Sequence, residues 1–367
     1  MAYRNPILAS PNRLKLGVFG LNVSGGCAMT SAPGTLRIEW DESVRIARAA
    51  EAAGIEALVP VARWRGFGGV TNFNHRSFET LTWAAGLGAA TERIGIFATV
   101  HVPTVHPVRA AKEIATIDHI SRGRFALNIV AGWNEPEIRM FGVSQREHDR
   151  RYACADEFTT LLKRLWSEER FDFAGDFYNV PGAASEPKPL QHPWPPIMSA
   201  GNSPAGRDFA ARHADLNFAL GPDLETLGAT CVEVKRLARE RYAREISVFT
   251  MGYVVCRDSE REARRYRDYY VKEVGDFTAA HNLIETLIPN SQSALGDQYR
   301  AMTENFIAGY SALPLVGTPE QVVDGMLAMA RAGFDGLTLS WVDYDEGLGQ
   351  YRDQLRPLLI QSGLRVE

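Results

Sequence analysis

Cysteine is scarce in this chain of 367 residues, long apolar runs are missing, and neither sign of charge is in real excess. Cys27, Cys154, Cys231 and Cys256 are widely separated, with no CxxC pair and no Cys/His cluster. That spacing argues against a disulfide framework and against a structural zinc site. The N-terminal stretch MAYRNPILASPNRLKLG lacks a signal-like apolar core, and no run reaches the ~20 apolar residues that span a bilayer. A reduced, cytoplasmic protein with no membrane partner is expected. Lys plus Arg total 40 against 44 Asp plus Glu, a net charge of -4. No global field for nucleic acid follows from that balance. There is no P-loop, and Gly86-Leu-Gly88 falls inside a helical pattern instead of at a strand-to-helix turn. Tight helix packing explains it better than a dinucleotide site.

What is abundant is punctuation: 32 glycines and 19 prolines in a chain that is 45% hydrophobic. These break the sequence into many short elements. Strand-like runs at 14–22, 57–60, 93–100, 124–131, 196–199, 214–219, 247–256 and 336–341 each lead into a helical pattern. Regular alternation of this kind predicts a parallel sheet, and eight units predict a closed (β/α)8 TIM barrel. One domain over 1–367 is expected, with insertions near 171–195 (a small strand pair at its start) and 275–315.

In a barrel, chemistry sits at the C-terminal ends of the strands. Those ends here are small, polar or aromatic: Asn22–Gly26, Ala62–Gly69, Thr99–His101, Asn128, Gly132–Asn134 and Ser199–Ser203. Convergent acids are absent, which disfavours a glycosidase pair or a carboxylate-rich metal site, so no metal is assigned. Ala200-Gly201-Asn202-Ser203-Pro204 has the composition of an anion-binding helix start, or of a plain N-cap. Trp64, Phe67 and Trp133, among glycines, suit either the core or a flat aromatic ligand.

Leu127-Asn-Ile-Val-Ala-Gly-Trp133, followed by Pro136-Glu137 and Arg151-Tyr152, resembles the bacterial luciferase-like flavin monooxygenases. So do Ala115-Thr-Ile-Asp118, Ser121-Arg-Gly-Arg124, Ala200-Gly-Asn-Ser203 and Val316-Gly-Thr-Pro319, so that the similarity runs from about residue 14 to 362. Within that family, Arg65-Gly-Phe-Gly-Gly69 is similar to the pyrimidine monooxygenases. Asn22-Val-Ser-Gly-Gly26 and Glu147-His-Asp-x-Arg-Tyr152 are closer to the dimethyl-sulfone monooxygenases. The resemblance implies a barrel binding reduced FMN, supplied by a separate NAD(P)H:flavin reductase, with O2 and a small organic substrate as co-reactants. It implies cleavage of a C–S or C–N bond in a sulfone, sulfonate or N-heterocycle, and assembly as a homodimer or homotetramer. Matching positions put Ala62 and Arg63 beside the flavin, Asn128 and Glu137 near its ring or ribityl chain, and Arg151, Tyr152, Gly201 and Ser203 on the phosphate side. Thr99 and Asn128 match the oxygen site, Arg63 is the candidate for orienting an oxygen-rich substrate, and Phe67 and Trp133 are its aromatic walls. Arg63 stands where the pyrimidine enzymes carry lysine, as it does in the sulfone enzymes. Competing readings are a deazaflavin (F420)-dependent oxidoreductase, a flavin-binding protein without turnover and a metal-dependent barrel hydrolase.

Overall fold

A computed structural model describes residues 5–289, 291–292, 296 and 298–366. Its strands are β1 (Lys15–Phe19), β2 (Ala57–Val59), β3 (Gly95–His101), β4 (Phe125–Val130), β5 (Phe171–Ala174), β6 (Asn179–Ala183), β7 (Ile197–Ser199), β8 (Leu216–Phe218), β9 (Ser247–Cys256), β10 (Leu313–Gly317) and β11 (Gly336–Ser340). β1, β2, β3, β4, β7, β8, β9 and β11 pair in parallel in that order, and β11 pairs back onto β1. The ring is therefore closed, the (β/α)8 barrel that the alternation predicts.

Residues alternate between two clusters as a strand's period of two requires. Ile96, Ala98 and Leu127 pack outward against the helices, while Phe97, Ala126, Met198 and Phe249 share the cluster inside the ring. The same parity turns Thr99, His101 and Asn128 inward at the C-terminal mouth.

The helices begin where sequence places them. Pro107, Pro204 and Pro319 occupy first-turn positions after His106, Ser203 and Thr318, whose side chains accept backbone N–H bonds. Gly86 is inside the helix Thr80–Ala90, and a Cβ there would lie 2.3 Å from the Trp40 ring. Close helix packing is thus the reason for that glycine.

Arg124, in the Ser121–Arg124 motif, is a structural tie. Its guanidinium donates to the Gly88, Thr91 and Ile94 carbonyls at 2.7, 2.8 and 2.7 Å and to Thr91 Oγ1 at 3.0 Å. A lysine keeps the charge but not the fork. Arg124→Lys is expected to lower the unfolding free energy by about 2 kcal/mol in urea titrations.

Two features depart from the simple repeat. At 171–183, β5 and β6 form the small antiparallel pair. The 275–315 insertion contains the helices Phe277–Leu287 and Gln298–Gly309, with residues 290, 293–295 and 297 outside the described set. Ala279, Leu283, Ile284, Phe306 and Ile307 bury themselves in the inner cluster, so the insertion roofs the barrel mouth. It ends in β10, a ninth strand that sequence reading missed, paired with the upper half of β9 from Leu313↔Gly252 to Gly317↔Cys256. Pro314 made Leu-Pro-Leu-Val-Gly a poor strand candidate; proline is tolerated here because β10 is the edge of the sheet.

Candidate active site

The β3–β4 register sets Thr99 directly opposite Asn128. Asn128 Nδ2 donates to Thr99 Oγ1 at 3.1 Å, and Thr99 Oγ1 donates to the Pro60 carbonyl at 3.4 Å. Asn128 Oδ1 is buried and has no hydrogen-bond partner. An acceptor left open in this position suits a ligand that carries an N–H or O–H. His101, two residues further along the same face, is held neutral: burial, then the nearby Arg63 charge, push its pKa down to about 3.

Arg63 and Glu137 form a pair whose side chains are only 2% and 1% exposed, with Nη1 to Oε2 at 3.2 Å. The other carboxylate oxygen accepts the backbone N–H groups of Trp64 and Arg65 at 2.7 and 3.0 Å. The guanidinium is flanked by the Phe67 and Trp133 rings at 5.0 and 5.2 Å and donates through Nη2 to Tyr310 Oη at 3.2 Å. Its position is fixed on every side.

A cavity of about 810 Å³ opens beside this cluster. Trp133, Tyr310 and Phe306 line one part, and Arg151, Tyr152 and Gly201–Ser203 line another. Ser203 caps the helix Pro204–His213 by accepting the Gly206 N–H at 3.1 Å, so the plain N-cap is real. More than a cap is built here, however. A Cβ on Gly201 would lie 2.7 Å from Tyr152 Oη and from Gly206 Cα, so only glycine lets these three chain segments meet. Burial raises the pKa of Tyr152, while Ser203 and Arg151 oppose the shift. Arg151 donates through Nη1 to the Gly132 carbonyl, and its Nε is buried without a partner. Hydroxyls, an arginine and a helix N-terminus line one cavity together, the donor set that a phosphate needs.

A second cavity, of about 500 Å³, lies on the other side of Arg63 and is lined by Ala62, Arg63, Trp64, Thr99 and His101 together with two helices. Arg63 thus belongs to one cavity and its partner Tyr310 to the other.

Residues 14–336 match the model of the family described as luciferase-like monooxygenase. The chain belongs to the luciferase-like monooxygenase family. It is 30% identical over 353 residues to an FMNH2-dependent dimethylsulfone monooxygenase of Pseudomonas putida, covering 94% of this chain and 95% of that one. To the pyrimidine monooxygenase RutA of Enterobacter sp. (strain 638) it is also 30% identical over 353 residues, at 94% and 96% coverage. The solved structure of a long-chain alkane monooxygenase, LadA, shares the fold with a TM-score of 0.86 at 21% identity, over 97% of this chain and 93% of that one.

In this luciferase-like monooxygenase the family-matched positions fall into distinct groups. Gly201, Ser203, Arg151, Tyr152 and Trp133 line the larger cavity; Ala62, Arg63 and Thr99 line the smaller one. Asn128 lines neither and is bonded to Thr99. Glu137, matched to the flavin's ring or ribityl chain, has both oxygens engaged by Arg63 and the 64–65 backbone. Phe67 lines neither of these two cavities; its ring packs against the Arg63 guanidinium. Tyr310 escaped sequence reading altogether, because it arrives from the insertion instead of a strand end.

Proposed function

We propose that this chain is a single-domain, two-component monooxygenase that takes FMNH2 from a separate NAD(P)H:flavin reductase and uses O2 to cleave a C–S or C–N bond. Its substrate class is a small organic sulfone, sulfonate or N-heterocycle. The observation that carries the cofactor assignment is the larger cavity, with an anion cradle at Arg151, Tyr152 and Gly201–Ser203 and an aromatic, polar end at Trp133 and Tyr310. The orphaned Arg151 Nε, beside the close approach of Tyr152 to the helix start that Gly201 permits, fits a phosphate-bearing nucleotide. When bound in reduced form, FMN supplies the electrons on which monooxygenation draws.

The chain's own residues do the rest. Arg151, Tyr152 and Ser203 hold the phosphate. Thr99 and Asn128 offer a hydrogen-bonding pair where oxygen chemistry needs fixed dipoles. Arg63, locked by Glu137, orients an oxygen-bearing substrate, and the roof helices keep water from the mouth. The P. putida relative, FMNH2-dependent and acting on dimethylsulfone, supports the sulfur arm of the reading. Among the described residues no helix is long and apolar enough to cross a membrane.

The test mixes the protein with FMNH2 and then O2, following the flavin spectrum with dimethyl sulfone, methanesulfonate or uracil present, after titrating FMN against F420. Thr99→Ala and Asn128→Ala are each expected to lower substrate oxygenation by about 10²-fold while flavin reoxidation continues. Coupled oxygenation surviving in both variants would refute the assignment of this pair.

A further inference from the structure

Two hydrogen-bond donors without acceptors stand side by side at the boundary of the two cavities. The first is Arg63 Nε, which is buried and unpaired although both terminal nitrogens are engaged. The second follows from donor logic. A guanidinium can only donate, so in the 3.2 Å contact with Arg63 Nη2 the Tyr310 oxygen is the acceptor. The tyrosine's own O–H must then find another acceptor, and among the described residues it makes no other hydrogen bond. The residue faces the larger cavity, so that hydrogen is available to whatever occupies it, water or a ligand.

The local backbone is arranged for this placement. Tyr310 and Ser311 have φ of 58° and 63°, a left-handed pair of residues that non-glycine sequences seldom adopt. Such conformations persist where the surroundings enforce them and cluster at functional sites. Phe73 and Phe306 hold the Tyr310 ring, each with its centroid 6.1 Å away. On the other side Glu137, Phe67 and Trp133 immobilise Arg63. Both donors are thus preorganised.

We propose that Arg63 and Tyr310 form a two-donor clamp for the paired oxygens of a compact organic sulfonyl or sulfonate compound, and that Tyr310 is a specificity-determining residue. This rests on the reading of Arg63 as the substrate-orienting group. At these two atoms only donors are offered, which matches a group that presents oxygens; the open acceptor Asn128 Oδ1 belongs to the Thr99 pair. The two donors reject a face carrying an N–H, because donors set against each other leave all of them unpaired. An N-heterocycle presenting an N–H is therefore disfavoured at the clamp.

Trifluoromethanesulfonate, followed by fluorine NMR, reads the clamp without turnover, on flavin-free and on FMN-loaded protein. Tyr310→Phe keeps the ring and removes the donor; it is expected to raise the probe's Kd about tenfold while the Kd for FMN stays within twofold. Arg63→Lys, which keeps the charge and loses Nε, is expected to weaken the probe similarly. In turnover with dimethyl sulfone, Tyr310→Phe is expected to raise KM more than it lowers kcat. A probe Kd within twofold of wild type in Tyr310→Phe overturns the clamp, as does a wild-type protein that does not bind the probe in either form. Loss of FMN affinity in parallel with the probe also overturns it, since Tyr310 would then serve the cofactor. If wild-type protein binds the probe but not FMN, the cofactor reading fails and the clamp stands.

Discussion

Glu137→Ala is expected to cost this protein about 3–5 kcal/mol of unfolding free energy and to abolish measurable turnover. The carboxylate is 1% exposed and carries three partners: the Arg63 guanidinium and the amides of Trp64 and Arg65. Alanine would leave a cation stranded in a buried site and two N–H groups with nothing to bind. Breaking a buried pair from one side is far more damaging than its net worth suggests, because the surviving charge stays desolvated. Catalysis should fall for a separate reason. Arg63 is aimed by Glu137, and a misplacement of about 1 Å can cost 10²-fold in rate. Glu137→Gln retains an acceptor for the amides but not the charge, so about half the stability loss is expected. Urea denaturation of the three proteins decides the matter. A Glu137→Ala variant within 1 kcal/mol of wild type would show that the buried pair does not hold this region together.

Gly201→Ala is expected to raise the Kd for FMN by about 10²-fold or more, with a smaller effect on global stability. The added Cβ would meet Tyr152 Oη and Gly206 Cα at 2.7 Å each. Tyr152 can swing away only by taking its hydroxyl out of the cradle it lines with Ser203. Gly206 is backbone inside the first turn of the helix Pro204–His213 and can yield only by moving the helix start. Either response spreads the donors that would converge on a phosphate. Two charge-assisted hydrogen bonds lost or lengthened, at about 1.5 kcal/mol each, account for the stated factor. Quenching of flavin fluorescence on titration measures it. An unchanged Kd would move the phosphate elsewhere in the cavity.

Much of this architecture was legible because local rules agree with the global fold. Pro107 and Pro204 mark helix starts, and the strand runs at 93–100 and 247–256 carry their own hydrophobic signature, observed at Gly95–His101 and Ser247–Cys256. The pairing of Thr99 with Asn128 needed only the register of two adjacent strands. What stayed hidden depends on contacts distant in sequence. Glu137 is separated from Arg63 by 74 residues, and Tyr310 by 247. Nothing local in Pro136-Glu137 says which cation it faces. Nothing local in Gly-Tyr-Ser-Ala says that a tyrosine turns back over the barrel. The left-handed φ at Tyr310 and Ser311 is itself invisible in sequence, since glycine, the usual marker of such a turn, stands one residue earlier.

The roof has a bearing on how proteins of this kind diversify. Arg63, Thr99 and Asn128 are written into strands and strand ends of the barrel, and the anion cradle into residues 132–206. Tyr310 is written into a stretch between β9 and β11 that the repeat itself does not require. That stretch is fastened to the rest by an apolar face, through Leu283, Ile284, Phe306 and Ile307, and by backbone ties such as the pairing of β10 with β9. Exchange of the segment for another with the same fastening face would change what is selected while leaving the redox machinery in place. Selection for a new nutrient could therefore act on a replaceable cassette, sparing the ancestral scaffold the mutations that most often unfold it.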